Sequence, residues 1–190
     1  MIKPASFLLS LALAGIFSVS AFSANGPDDP AGRGNGILGV SIGPGVPFYG
    51  GNGFGPAFVI HYDHGIWQAG PGTISLGGFF GTSLFWDTYS APGIDYNQSW
   101  TNLGFNGRAA YHYGWKVPGL DTYAGFGIGA RISIYNNDGW SNGKSSSSVG
   151  ALPTFFFGSS YFFNEIFGVN GEMGYNFTYA QIGVNFRIIR

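Results

Sequence analysis

The sequence predicts an all-β fold, an eight-stranded antiparallel up-and-down transmembrane β-barrel preceded by a cleaved signal peptide. Three observations predict it. Beyond residue 25 apolar residues recur with a period of two, the repeat of a strand with two unlike faces. Only 9 % of residues are charged while 18 % are aromatic and 34 are glycine; soluble domains carry roughly 25 % charge. Mean hydropathy is nevertheless only +0.13, because apolar residues alternate with Gly, Ser, Asn and Thr. A barrel wall needs that mixture, one apolar face toward lipid and one polar face toward the lumen.

The amino terminus reads as an export signal. Lys3 supplies the positive charge, Phe7 to Phe17 the apolar stretch, and Ser18 to Ala24 the small residues before cleavage. Cleavage after Ala21 and cleavage after Ser23 both fit. The organisation expected is 1–23 signal peptide, 24–33 a short periplasmic N-terminal segment, and 34–190 the barrel. The sequence has no cysteine, so it has no disulfide, thiolate metal site or lipoprotein anchor. A net charge of −1 gives no reason to expect nucleic acid as a partner.

Taken in order, the strands are as follows. Ile37 to Gly43 puts Leu38, Val40 and Ile42 on one face. Pro56 to Asp63 opposes Phe58, Ile60 and Tyr62 to Ala57, Val59, His61 and Asp63. In Thr73 to Trp86 the apolar face is Ile74, Leu76, Phe80, Leu84 and Trp86. Asn102 to Tyr113 sets Leu103, Phe105 and Ala109 against Asn102, Asn106, Arg108 and His112. Leu120 to Tyr135 sets Phe126, Ile128, Ile132 and Ile134 against Asp121, Tyr123, Arg131 and Ser133. Val149 to Phe163 is apolar on both faces; Phe155, Phe157, Ser159, Tyr161 and Phe163 are assigned outward. Phe167 to Asn176 opposes Val169, Met173 and Tyr175 to Asn170 and Glu172, and Tyr179 to Ile188 opposes Ile182, Val184 and Phe186 to Gln181, Asn185 and Arg187. Eight strands suit bacterial barrels, which prefer even numbers.

Connections rich in Gly, Asn, Ser and Pro are expected at Pro44–Gly55, Asp87–Asp95 and Asn136–Ser148. Shorter ones are expected at Gly65–Gly72, Gly114–Gly119 and Asn164–Ile166, and about Phe177-Thr178 alone joins the last two strands. Aromatic girdles are expected from Trp67, Tyr111, Tyr113, Trp115, Tyr161 and Phe163 at one end and Trp86, Trp100, Tyr135 and Tyr175 at the other.

The chain resembles the small eight-stranded outer-membrane β-barrel family, the outer membrane protein β-barrel domain of the OmpA/OmpX-like superfamily. The resemblance lies in Phe58-Val59-Ile60-His61-Tyr62-Asp63-His64-Gly65, Ser75-Leu76-Gly77-Gly78-Phe79-Phe80-Gly81 and Gly107-Arg108-Ala109-Ala110-Tyr111-His112-Tyr113. It continues in Tyr161-Phe162-Phe163-Asn164 and Gly168-Val169-Asn170-Gly171-Glu172-Met173-Gly174-Tyr175. It implies the outer membrane of a Gram-negative cell, lipopolysaccharide and outer-membrane lipids as surroundings, and the barrel-insertion machinery as a partner in biogenesis. Such a chain is expected to be a monomer. The carboxyl end, Phe186-Arg187-Ile188-Ile189-Arg190, departs from the aromatic finish usual in that family.

Arg108, Arg131, Asp121, Glu172, Arg187, His61 and His112 all fall on lumen faces, where an ion-pair and hydrogen-bond network is expected. An eight-stranded lumen is just wide enough for side chains to fill, so the expectation is a filled barrel rather than a pore. His61 and His64 stand three apart on a strand and point to opposite faces, and no third ligand accompanies them, so no metal and no cofactor are expected. Asp63 shares the face of His61 and is the partner expected for its ring. A lipid A-modifying enzyme would need a serine beside a histidine on the outer half, and none is visible there. Phe48, Tyr49, Phe54, Trp140 and Lys144 lie in expected outer loops and form the candidate contact surface. The function expected is envelope structure or surface contact without catalysis. The alternatives are a small-ligand or narrow-channel module and, third, a lipid A enzyme.

Overall fold

The computed structural model describes residues 28–46, 55–91, 94–137 and 144–189. Eight strands close into one ring: β1 (Gly36–Pro44), β2 (Pro56–Ala69), β3 (Gly72–Ala91), β4 (Ile94–Tyr113), β5 (Leu120–Asn137), β6 (Lys144–Phe162), β7 (Phe167–Tyr175) and β8 (Ala180–Ile188). Each strand pairs antiparallel with its chain neighbour, and β1 closes on β8 through Gly36↔Ile188 to Ile42↔Ile182. The end at which β1 begins and β8 finishes is here the base, and the opposite end the mouth.

The period-two pattern sets the wall. Phe126, Ile128, Val149 and Ile182 are 70 to 75 % exposed on the outside, while Asn102, Arg108, His112, Asp121, Glu172 and Asn185 are buried inside. That inverts a soluble protein, whose outside is polar. The assigned phase of β6 is the observed one: Phe155 and Phe157 face out, and Leu152, Phe156 and Phe162 face in. Both faces are apolar because those three inward residues each supply a different buried apolar cluster in the lumen.

The connections differ from the composition-based reading in three places. β2 runs on to Ala69, so Gly65–Gly72 shrinks to a turn at Gly70, whose φ of 61° suits glycine. The register shifts between Gly65 and Trp67 on the β3 side, while on the β1 side the Gly65 backbone continues the ladder to Gly34 and Asn35. Asp87–Asp95 is largely strand, with β3 and β4 still paired at Asp87↔Gln98 and at Ala91↔Ile94. Asn136–Ser148 is likewise mostly strand, through Asn136↔Ser145 and Asn137↔Lys144. Polar composition was misleading there because a neighbouring strand satisfies the backbone whatever the side chain.

Strands β3 to β6 are 18 to 20 residues long, against 9 for β1, β7 and β8. Pairing of β3 with β2 ends at Ser83, and pairing of β6 with β7 ends at Phe155. Four strands therefore stand above the closed ring as a curved sheet at the mouth. Of the girdle aromatics, Trp67 and Trp115 are exposed near the base, and Trp86 and Tyr175 near the mouth. Trp100 and Tyr135 depart from the expectation: they share the strand faces of buried Asn102 and Ser133 and so line the inner side of the projecting sheet.

Ile128→Arg is expected to cost about 2–4 kcal/mol, the penalty for a cation facing lipid near the midplane. Urea unfolding of the barrel in phospholipid bilayers, with Ile128→Leu as the near-neutral control, measures it.

Candidate functional site: the lumen and its mouth

At the base the chain returns on itself. Gly34 N–H donates to the Gly65 carbonyl at 2.8 Å, and Gly65 N–H donates to the Asn35 carbonyl at 2.9 Å. Pro30 and Ala31 are thereby buried in the opening, with Ala31 against Ile37 and Phe162. Residues 28–33, read as a periplasmic segment, thus seat in the barrel's own base. Burial raises the Asp29 carboxyl above the ordinary carboxylate value, the nearby Asp121 carboxylate adds to this, and His112 and Arg187 oppose it. Arg187, expected within the lumen network, stands at this rim instead: its Nε donates to the Pro30 carbonyl at 3.1 Å and its Nη1 to Glu165 Oε2 at 2.6 Å. Its strand ends there, so the guanidinium reaches the turn rather than the interior.

Above the base lies a serine–histidine–aspartate set. The Ser75 hydroxyl meets His112 Nε2 at 2.9 Å, and His112 Nδ1 meets Asp121 Oδ2 at 2.8 Å. These are the atom pairings of a hydrolytic triad, but not its surroundings. Ser75 is 1 % exposed, so a substrate has no approach to the hydroxyl. It also sits mid-strand between Gly65 and Ala110, where backbone groups serve the sheet rather than an oxyanion. Tyr123 stacks near the imidazole, with centroids 5.3 Å apart, and packs on Phe156. The set ties β3, β4 and β5 together inside the lumen. Sequence reasoning missed Ser75 because the diagonal across β3 and β4 is fixed by register, which composition does not reveal.

The middle of the lumen is built on Arg108. Its Nη2 donates to Glu172 Oε2 at 2.9 Å, and its Nε stands 3.2 Å from Asp63 Oδ1. The guanidinium lies over the Phe156 ring at 3.8 Å from the centroid. Asp63 therefore serves Arg108 rather than His61, whose ring packs over Gly39 beside Asn185. Glu172 Oε1 accepts from Asn176 Nδ2 and Gln181 Nε2, both at 3.0 Å. Asn170 of β7 accepts from Ser41 of β1 at 3.2 Å and donates to Asn185 of β8, which in turn donates to Ser160 of β6 at 2.8 Å.

Toward the mouth the interior becomes apolar, a change the sequence reading did not foresee. The short β7–β8 connection folds inward, and Phe177 is fully buried with Ala57, Val59, Phe79 and Leu152. Gly81 and Gly104 make the space, since a Cβ on either would stand 2.9 or 2.6 Å from the Phe177 ring. Val46 N–H donates to the Phe177 carbonyl at 3.1 Å, and Gly45 bridges Thr178. Arg131 is half-buried on the same cross-strand row, Gly81↔Gly104↔Arg131↔Gly150.

Three further rows follow toward the mouth, the third of them Asp87↔Gln98↔Asn137↔Lys144. Ser83↔Asn102↔Ser133↔Ser148 comes next, then Phe85↔Trp100↔Tyr135↔Ser146. A cavity of about 390 Å³ opens between Trp100, Tyr135, Ser133 and Ser146 to Ser148. Of the expected contact residues, Phe48, Tyr49, Phe54 and Trp140 lie outside the described residues, and Lys144 is the first residue of β6.

Comparison with known proteins adds the fold. No protein-family model matches the chain, and no curated protein matches it in sequence. Among solved structures it is similar to Ail, the attachment invasion locus protein of Yersinia pestis, in complex with the heparin analogue sucrose octasulfate. The TM-score is 0.55 at 11 % identity, over 82 % of this chain and 99 % of that one. The chain has the fold of the small eight-stranded outer-membrane barrels. A second structure of Ail gives a TM-score of 0.50 at 10 % identity over 82 % and 99 % of the two chains. Neisserial surface protein A gives 0.41 at 14 % over 83 % and 98 %.

Arg108→Ala leaves Asp63 and Glu172 buried without their cation and is expected to cost about 3–5 kcal/mol. Arg108→Met combined with Asp63→Asn and Glu172→Gln is expected to recover most of that loss, both read from urea-dependent gel mobility. A serine-directed fluorophosphonate is expected to leave Ser75 unlabelled in the folded barrel; mass spectrometry of the tryptic peptide decides, and labelling would make Ser75 a nucleophile.

Proposed function

We propose that this chain is a non-enzymatic outer-membrane protein with a lumen closed to ions, which uses its mouth for contact at the cell surface. The inverted polarity of the wall carries the reading: Phe126, Ile128, Val149 and Ile182 stand 70 to 75 % exposed outside, and ion pairs lie within. Such a surface is stable against lipid and unstable in water. The base, with the start of β1, the end of β8 and the seated N-terminal segment, faces the periplasm, and the projecting strands face outward. Phe177 over Leu152 and Val59, with the Arg108 network beneath, opposes a conducting path. Biogenesis through the barrel-insertion machinery, lipopolysaccharide as a neighbour, and a monomeric state belong to the same reading.

The contact chemistry differs from that named for Ail. A heparin analogue such as sucrose octasulfate calls for several cations. Between Lys116 and Arg187 this sequence holds only Arg131 and Lys144 as Lys or Arg, and the stretches 47–54 and 92–93 hold neither. Aromatic and neutral polar side chains dominate the outer stretches instead.

The chain has no native cysteine, which makes the topology directly testable. Ser147→Cys is expected to react with a membrane-impermeant maleimide on intact cells, and Lys116→Cys only after the outer membrane is opened. The reverse pattern, or recovery of the protein as a soluble periplasmic species, overturns the membrane reading. Planar-bilayer recording is expected to show no stable conductance.

A further inference from the structure

From the geometry of the mouth we infer that the cavity between β4, β5 and β6 is a binding site for a neutral carbohydrate. The inference rests on the proposed outward orientation of the mouth. Trp100 and Tyr135 are register partners on adjacent strands, with ring centroids 5.3 Å apart and planes inclined by 37°. Two tilted aromatic faces offer a sugar ring the flat apolar surface that its axial C–H groups prefer. Both residues are half-buried, so part of their surface lies open to solvent.

The polar side of the cavity complements that surface. The Ser133 hydroxyl donates to Asn102 Oδ1 at 2.6 Å, and Asn102 Nδ2 donates to Ser83 Oγ at 3.2 Å. This chain fixes Ser133 and Asn102 as a buried polar floor of the cavity, so hydrogen bonds to a ligand fall to the exposed β6 serines. On the adjoining strand β6, exposed Ser146 is the register partner of Tyr135 on the inner face, while Ser147, which also lines the cavity, partners Ile134 on the outer face. The volume of about 390 Å³ lies within the roughly 300–1,000 Å³ of small-molecule sites.

Charge chooses among the ligands an aromatic platform can take. No lining residue is Lys, Arg, His, Asp or Glu; Arg131 lies two rows deeper than the aromatic pair, and the row above the pair brings one residue of each sign, Asp87 on β3 and Lys144 on β6. A stacked nucleic acid or a sulfated glycan would bring anions that find no ring of cations here. A neutral hexose or N-acetylated amino-sugar unit needs none. It can come from the sugars of the cell's own lipopolysaccharide or from a glycan on another surface, and both present the same ring and hydroxyl chemistry.

The test uses the full barrel in phosphatidylcholine nanodiscs and saturation-transfer NMR. One arm presents neutral oligosaccharides of glucose, galactose and N-acetylglucosamine. The other presents dephosphorylated core oligosaccharide freed from lipid A, and each is repeated with its sulfated counterpart. Saturable transfer is expected in at least one arm, and the responding arm identifies the source. Trp100→Ala and Tyr135→Ala are each expected to weaken it at least tenfold, Trp100→Phe by no more than a few-fold, and Trp86→Ala on the outer wall not at all. Heat-modifiable gel migration of every variant reports folding, and maleimide labelling at position 147 reports orientation. A failure of the site is thus separated from a failure of the membrane reading. Absence of transfer in both arms, insensitivity to Trp100 and Tyr135, preference for the sulfated forms, or binding to unglycosylated protein alone would each overturn the assignment.

Discussion

The structure depends most on the burial of one guanidinium. Arg108 is held within a ring of eight strands where water is scarce, so its charge must be met by fixed partners. Asp63 from β2 and Glu172 from β7 meet it across the lumen, tying together strands that share no edge. Glu172 then hands the constraint upward, because its second oxygen accepts from Asn176 and Gln181. Asn176 opens the connection that carries Phe177, so the ion pair in the middle and the apolar stopper above it are one unit. The glycines follow from this: Gly77 and Gly127 flank Arg108 in register, and Gly125 stands beside Phe156. Large side chains inside a small barrel require small ones opposite them.

The wall was readable because lipid imposes a rule on every second residue. Phe126, Ile128 and Ala130 could not trade places with Tyr123, Arg131 and Ser133 without placing charge or hydroxyls in hydrocarbon, so alternation alone gave the facing. It also gave Arg108, Asp121, Glu172 and His112 as interior groups, but not their partners. Asp63 pairs with Arg108 and not with its strand neighbour His61, since partnership across a barrel is decided by stagger. Ser75 meeting His112 is the same effect one layer lower.

Connections and mouth were read less well, for a different reason. Gly, Ser, Asn and Pro mark loops by propensity, yet at Ser145–Ser148 and Asp87–Asp95 strand pairing overrides propensity. With the strands prolonged, Trp100 and Tyr135 move from a lipid girdle to the inner side of the sheet. Phe177 resisted prediction altogether. A lone aromatic in a two-residue connection reads as a girdle residue, and only the bare surfaces of Gly81 and Gly104 make a place for it inside.

The interior therefore changes chemistry in steps from base to mouth, and the steps follow access to water. In the middle, where the wall is closed on all sides, the guanidinium of Arg108 is met by Asp63 and Glu172. At the level of Phe177, polar side chains give way to apolar ones, because the incoming turn supplies a ring rather than a partner for hydrogen bonds. Above it the ring of strands is incomplete, β3 and β6 having lost β2 and β7. Water reaches the sheet there, and Ser146, Ser147 and Ser148 can stay exposed without a desolvation cost. Among the described residues, no strand stands opposite the aromatic pair at this level, so the pair gains little from packing against them. Buried on one side and open on the other, Trp100 and Tyr135 keep unsatisfied apolar surface that a ligand can cover.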